Sequence, residues 1–123
     1  MATVLTNAGK AIVTNRIKGS GTEPLNAAWG TGAGTAAITD TTLFTEATPR
    51  AAGTSSQVTT TVTNDTYQVV ATITAAGTLA ITNAGLFDVI TASTGNLFVK
   101  GDFSTINLVS GDSIQFTFKT TFS

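Results

Sequence analysis

Apolar and polar residues alternate with a period of two over most of the chain that follows Arg50, and the pattern is clearest near the C-terminal end. The apolar set there is Ile114, Phe116, Phe118 and Phe122, and the polar set is Ser113, Gln115, Thr117, Lys119 and Thr121. Successive side chains of a β-strand point to opposite faces. The segment therefore predicts a strand whose large apolar groups face a core.

Shorter stretches with the same alternation precede this one. Val58–Val62 and Tyr67–Ile73 alternate, and Asn64-Asp65 and Ala75–Gly77 are typical turns after them. Short strands separated by turn residues at roughly ten-residue spacing are typical of a sandwich. We predict a mostly β, jelly-roll-like β-sandwich with one short N-terminal helix, as a single domain over residues 1–123.

The tetrapeptide Thr-Asn-Ala-Gly occurs twice, at residues 6–9 and 82–85. After the first copy, apolar residues recur with a helical period, so we predict a helix over about residues 6–18. Thr6 or Asn7 would cap it, and Lys18-Gly19 would end it. The second copy lies between strand-like segments, and Asn83-Ala84-Gly85 there indicates a bulge or bend.

Two more local structures are predicted before residue 50. Leu25–Trp29 is a possible short strand, and the glycine-rich residues 30–34 indicate a loop. Thr39-Asp40-Thr41 resembles a cap for one helical turn through Leu43–Glu46.

Composition removes several classes of function. The chain has no cysteine and no histidine, and only 11% of its residues are charged, with 6 basic and 7 acidic side chains. Thiolate and imidazole metal sites and the usual general base are therefore excluded. The balance of charge does not favour nucleic-acid binding. We expect no metal, no cofactor and no membrane span, and no secretory signal is recognisable.

Threonine takes the place of the missing charges, with 27 residues of the chain. Its hydroxyl keeps a strand surface wettable without charge. Two interpretations fit: a soluble β domain with a threonine-rich polar face, or a subunit whose faces are covered by neighbours, because the cores of interfaces are depleted in charge.

The carboxylates do not predict an active site. Asp40, Asp65, Asp102 and Asp112 stand beside turn residues, where capping explains an aspartate. Asp88 follows a strand segment and is harder to assign. We predict no catalytic residue and no enzyme activity.

Four residues are candidates for contact with a partner. Glu46 and Arg50 are four apart and form either an internal ion pair or a contact with a neighbouring subunit. Trp29, the only tryptophan, is either an interface residue or part of the core. Phe98 belongs to the apolar run Leu97-Phe98-Val99, in which one side chain is expected to face outward or into a partner.

The chain resembles a family of small virion proteins of tailed bacteriophages. The resemblance depends on Ile81–Asp88 ("ITNAGLFD"), on Gly95–Val99, on the Ser110-Gly-Asp112 turn with its terminal strand, and on the segments 5–10 and 29–50. The family pattern often has arginine where this chain has Lys100. The resemblance implies a structural role, with the label of capsid decoration or tail-associated protein.

From this resemblance and the low charge we expect a capsid decoration (cement) protein. It would assemble in the host cytoplasm, act in the virion as a homotrimer, and bind the major capsid protein or another virion protein. A tail, baseplate or fibre-associated component is the alternative. A carbohydrate-binding β-sandwich is a third possibility, although it requires exposed aromatic side chains.

Overall fold

The computed structural model describes residues 1–123 and contains eight strands and one helix. The elements are β1 (Thr3–Leu5), α1 (Asn7–Ile17), β2 (Asn26–Gly30), β3 (Glu46–Ala52), β4 (Thr54–Val58), β5 (Thr66–Thr74), β6 (Leu79–Phe87), β7 (Leu97–Leu108) and β8 (Ser113–Thr121). The predicted mostly β fold with one short N-terminal helix is confirmed.

The strands form two antiparallel sheets of unequal width. The larger sheet has five strands in the order β1-β7-β6-β2-β3, and the smaller one has three in the order β4-β5-β8. Strand β3 leads directly into β4 through Gly53, so the two sheets are joined on that side. On the opposite side β1 and β8 are free edges, and no strand joins the sheets there.

The helix forms where its sequence predicts. The Thr6 hydroxyl accepts a hydrogen bond from the Gly9 amide at 2.9 Å, and Gly19 follows the last turn with a φ of 95°. Gly9 is required for a second reason: a β-carbon there would overlap the Phe98 carbonyl oxygen. This close approach seats α1 on β7 and directs Ile12 into the core.

The main core lies between the sheets. Trp29, Ile81 and Leu86 of the larger sheet are buried together with Val69 and Ile73 of β5. The outer face of the larger sheet is covered as well. Leu43 lies there against Phe87 and Leu97, so the segment before β3 is folded over that face.

Three local predictions are wrong. The alternation through Val62 does not continue as a strand: β4 ends at Val58, because the Asp65 carboxylate accepts hydrogen bonds from the amides of residues 60–62 and closes a turn. No helical turn forms before Glu46, where Thr45 instead has a φ of 50°. Phe122 lies beyond β8 with 45% of its surface exposed.

Candidate functional site

Arg50 and Glu46 form an ion pair within the chain. The Arg50 Nε–Glu46 Oε2 distance is 2.7 Å, Nη2 lies 2.9 Å from Oε1, and the relative exposures of the two side chains are 0% and 8%. Arg50 Nη1 also donates to the Val89 and Thr94 carbonyls, and its guanidinium carbon lies 3.7 Å from the centroid of the Phe87 ring. The guanidinium therefore fastens the β6–β7 loop to β3.

A bulge in β3 makes this ion pair possible. Residues four apart in a regular strand are separated by about 13 Å at roughly 3.3 Å per residue. Between the pairs Trp29–Ala47 and Ala27–Ala51, however, β3 uses four steps and β2 only two. The two extra residues shorten β3 locally and bring the side chains together.

The two aromatic candidates are buried. Trp29 is 0% exposed and meets Phe116 edge-on, with centroids 6.4 Å apart. Phe98 is 2% exposed and meets Tyr67 edge-on at 5.8 Å. Both rings fill the space between the sheets, so neither has the accessible surface that contact with a partner requires. In the run from Leu97 to Val99, only Val99 is partly exposed.

Lys100 is a buried cation that sequence reasoning did not place in a site. It is 2% exposed; its Nζ lies 2.9 Å from Asp40 Oδ2, donates to the Thr42 carbonyl, and lies 3.2 Å from the centroid of the Phe44 ring. The signal available in the sequence was the position of Lys100 directly after the apolar run Leu97–Val99, which indicates a buried lysine. Burial raises the pKa of Asp40, but the Ala37 amide and the Lys100 ammonium outweigh it, so that pKa lies below its ordinary value.

The two copies of Thr-Asn-Ala-Gly have different roles, as predicted. Thr6 of the first copy caps α1. Asn83 of the second is fully buried, and its side chain accepts from the Phe44 amide at 3.0 Å and donates to the Phe44 carbonyl at 3.1 Å. The amide group thus pairs with the loop as a neighbouring strand would. A fourth local prediction is wrong, because Asn83-Ala84-Gly85 does not form a bulge or bend and pairs in regular register with both β2 and β7. The irregularity lies in the neighbouring strand, since β7 uses four steps between Asp102 and Ile106 where β6 uses only two.

Every aspartate and glutamate side chain accepts a hydrogen bond from another group of the chain. Asp88 binds Asn96, Asp112 binds the Val109 amide, and Glu23 binds the Tyr67 hydroxyl. The amides of Val62 and Thr60 hold the pKa of Asp65 below its usual range, and those of Ala36 and Ala2 lower the pKa of Asp102. By accepting these hydrogen bonds, the carboxylates stabilise the turns and loops of the chain.

The three remaining cations other than Lys119 lie on the helix or at its C-terminal cap. Lys10 and Arg16 are exposed on α1 and Lys18 is exposed at its C-cap. Arg16 also donates to the Gly21 carbonyl. Since Arg16 and Lys18 stand near the helix C-terminus, they also complement its dipole. Lys119 is exposed on β8 and has no ion-pair partner.

A groove of about 490 Å³ opens on the side where the sheets are not joined. Its floor is the inner face of β1 and β7, including Thr3, Gly101 and Phe103, and its wall is β8. Phe116 and Phe118 line this wall, with ring centroids 5.8 Å apart. Both rings are only partly buried, so the apolar face of β8 is incompletely covered.

Comparison with family models, with curated proteins and with solved structures finds no match to this chain. No group of three or more histidine, cysteine, aspartate or glutamate side chains is arranged to hold a metal ion. The single helix has 11 residues, and no helix has the length and apolar character to cross a membrane.

Proposed function

We propose that this chain is a structural subunit of a tailed-bacteriophage virion, and specifically a capsid decoration protein that binds the outer surface of the head shell and stabilises it. The support is of two kinds. The sequence resembles small virion proteins over most of its length, and the aspartate and glutamate side chains together with Arg50 and Lys100 hold the chain's own turns and loops.

The strand edges carry the proposal. Strands β1, β4 and β8 each have an unpaired edge, and together they contain one charged side chain, Lys119. Soluble monomers protect such edges with lysine, proline or a covering segment. Pro49 and the Arg50–Glu46 pair protect β3 in this way, and Lys119 lies on β8, whereas β1 and β4 have neither lysine nor proline. Edges without protection suit a subunit that lies against neighbours in an assembly.

The energetics of such a role require no single strong contact. A neutral surface rich in threonine offers hydrogen bonds and modest apolar area at each site. Repetition over a symmetric shell multiplies weak contacts, because a subunit bound at one point has a high effective concentration at the next. Stabilisation of the shell would come from the number of such contacts.

The aromatic residues do not favour carbohydrate binding. Sugar sites of β-sandwiches use exposed aromatic side chains, whereas Trp29 is fully buried here. Tyr67 is half-buried, and its hydroxyl binds Glu23 at 2.9 Å.

The test is binding to shells. Purified chain is mixed with expanded heads assembled without it, and sedimentation and electron microscopy show whether it adds density to the outer surface. We expect saturable binding and a higher temperature of shell disruption, with heads in the unexpanded form as the control. Density on the tail of labelled virions would support the tail-associated alternative, and absence from virions would refute both.

A further inference from the structure

A long segment without regular structure covers part of the outer face of the larger sheet. Residues 31–45, here called the strap, connect β2 to β3 and contain neither a helix nor a strand. Connections longer than about 12 residues without regular structure are uncommon in compact domains and usually have a function. Only Ala36 and Leu43 of the strap are buried, so little apolar surface holds it in place.

Side chains of the larger sheet hold the strap through separate hydrogen bonds. The Ala36 amide donates to Asp102 Oδ2 at 2.7 Å. The Asn83 side chain accepts from the Phe44 amide and donates to the Phe44 carbonyl. None of these bonds belongs to a ladder between strands, so all of them can break without disturbing the pairing within either sheet.

The apolar contacts of the strap are separate from the main core. Leu43 is buried with Ala28, Phe87 and Leu97 on the outer face, whereas the main core lies between the two sheets. Because the larger sheet stands between the two clusters, opening of the strap would expose the small one and leave the main core intact. Segments with few buried apolar contacts open at a lower free energy than that of global unfolding.

Closure of the strap buries a cation. Lys100 of β7 is only 2% exposed. Its ammonium contacts the Asp40 carboxylate, the Thr42 carbonyl and the Phe44 ring, all of which belong to the strap. When the strap lifts, Lys100 loses these contacts and regains water. Closure therefore requires the desolvation of an ammonium, for which Asp40 must compensate.

The junction of the strap with β3 is strained. Thr45 has a φ of 50°, a left-handed conformation that is unfavourable for a β-branched residue. The strap passes close to itself there, since a β-carbon on Gly32 would overlap the Thr45 side chain. Strained residues persist where surrounding contacts hold them, and they are frequent in switch regions. Release of the contacts to Lys100 and Asn83 would allow Thr45 to relax.

We infer that the strap opens as one unit while both sheets stay folded, and that the charge of Asp40 controls this opening by compensating Lys100. The inference goes beyond the proposed role in the virion and does not depend on it. The two side chains are not equivalent, because that of Lys100 is 1% exposed and that of Asp40 is 21% exposed. Neutralising Asp40 leaves a buried ammonium unpaired, whereas removing Lys100 leaves a carboxylate that water can reach.

Amide hydrogen exchange followed by NMR measures the opening. The amides of Ala36 and Phe44 donate to side chains of β7 and β6, and neither bond involves Asp40. Both amides should therefore exchange when the strap lifts. We expect one shared opening constant for the two, at least about a hundredfold larger than that of the slowest β5 amides. It should depend little on urea, because opening exposes little surface.

Three variants and a control test the role of charge. Asp40→Asn keeps an oxygen acceptor and should raise the opening constant of both amides at least about tenfold, whereas Lys100→Met should change it less than about threefold. The double variant should return to within about threefold of the original chain, because neither charge remains. Asp112→Asn is the matched control, since Asp112 accepts from the Val109 amide in the turn before β8, and it should leave the constant unchanged.

Separate opening constants for Ala36 and Phe44 in the original chain, or exchange that occurs only when β5 unfolds, would overturn the inference. So would a double variant that opens as readily as Asp40→Asn, or an equal effect of Asp112→Asn. Shell binding is measured separately, so a strap that does not open would refute this inference and leave the proposed function supported.

Discussion

Replacing Arg50 tests whether its contacts within the chain stabilise the fold or whether the residue is available for contact with a partner. Arg50→Met keeps most of the side-chain volume and removes the charge. Glu46 would remain with 8% of its side chain exposed and with no cation beside it. Removing one partner of a buried ion pair typically costs about 3–5 kcal/mol. Because both partners are almost fully covered, little of this figure is lost to screening by solvent.

The assay is urea unfolding followed by the fluorescence of Trp29, which is the only tryptophan and is fully buried. A double-mutant cycle with Glu46→Met isolates the interaction between the two side chains. We expect each single variant to lose about 3–5 kcal/mol, and the double variant to lose at least about 2 kcal/mol less than the sum, since two apolar side chains leave no unpaired buried charge.

Arg16→Met is the matched control, because Arg16 is exposed on α1, and it should change the free energy of unfolding by less than about 0.5 kcal/mol. A loss below about 1 kcal/mol for Arg50→Met, or additivity of the two changes, would refute the assignment of Arg50 as a fastener of the loop.

Three further predictions concern stability. Gly9→Ala should lower the free energy of unfolding by at least about 1 kcal/mol, although alanine normally stabilises a helix, because its β-carbon would overlap the Phe98 carbonyl; urea unfolding gives the sign. Thr120→Val should stabilise the chain by about 1 kcal/mol in the same assay, since the buried Thr120 hydroxyl has no hydrogen-bond partner; a loss of stability would contradict this. Thermal unfolding against pH should be flat between about pH 5 and 9 in a chain without histidine. Stability should fall below about pH 4, because the lowered pKa of Asp65 stabilises the fold only while that carboxylate is ionised. It should fall again above about pH 10, because burial, and then Glu23, raises the pKa of Tyr67, so the folded state resists its ionisation. A stability maximum at acidic pH would contradict the assignment.

The sequence predicted the elements whose pattern is local. The helix of residues 7–17 and strand β8 follow from periodicity and from capping residues, and both lie within about one residue of the predicted bounds. The loop before β3 could not be predicted in this way. Its path is set by Asn83 and Lys100, which are distant in the sequence and reach it only after the sheet has formed.

The candidate contact residues show a related limit. Tryptophan is common both in interfaces and in cores, and arginine is common in interfaces and is buried within a chain only when it is paired. The residue type alone therefore could not decide between the two for Trp29 and Arg50. The deciding feature for Arg50 is a bulge in β3, which no periodic pattern reveals. The groove was also hidden from the sequence, because it results from the unequal number of strands in the two sheets.

The positions of the two buried cations indicate which surfaces are free to bind. Arg50 fastens the β6–β7 loop over Phe87, and Lys100 fastens the loop before β3 beside Phe44, both on the outer face of the larger sheet. Carboxylate and carbonyl groups of the chain surround each of these cations and compensate for the removal of its charge from water. To use this outer face, a partner would have to displace both loops and expose both cations. The groove lined by β1, β7 and β8 and the unpaired strand edges have no such cover, so association through them requires no rearrangement of the fold.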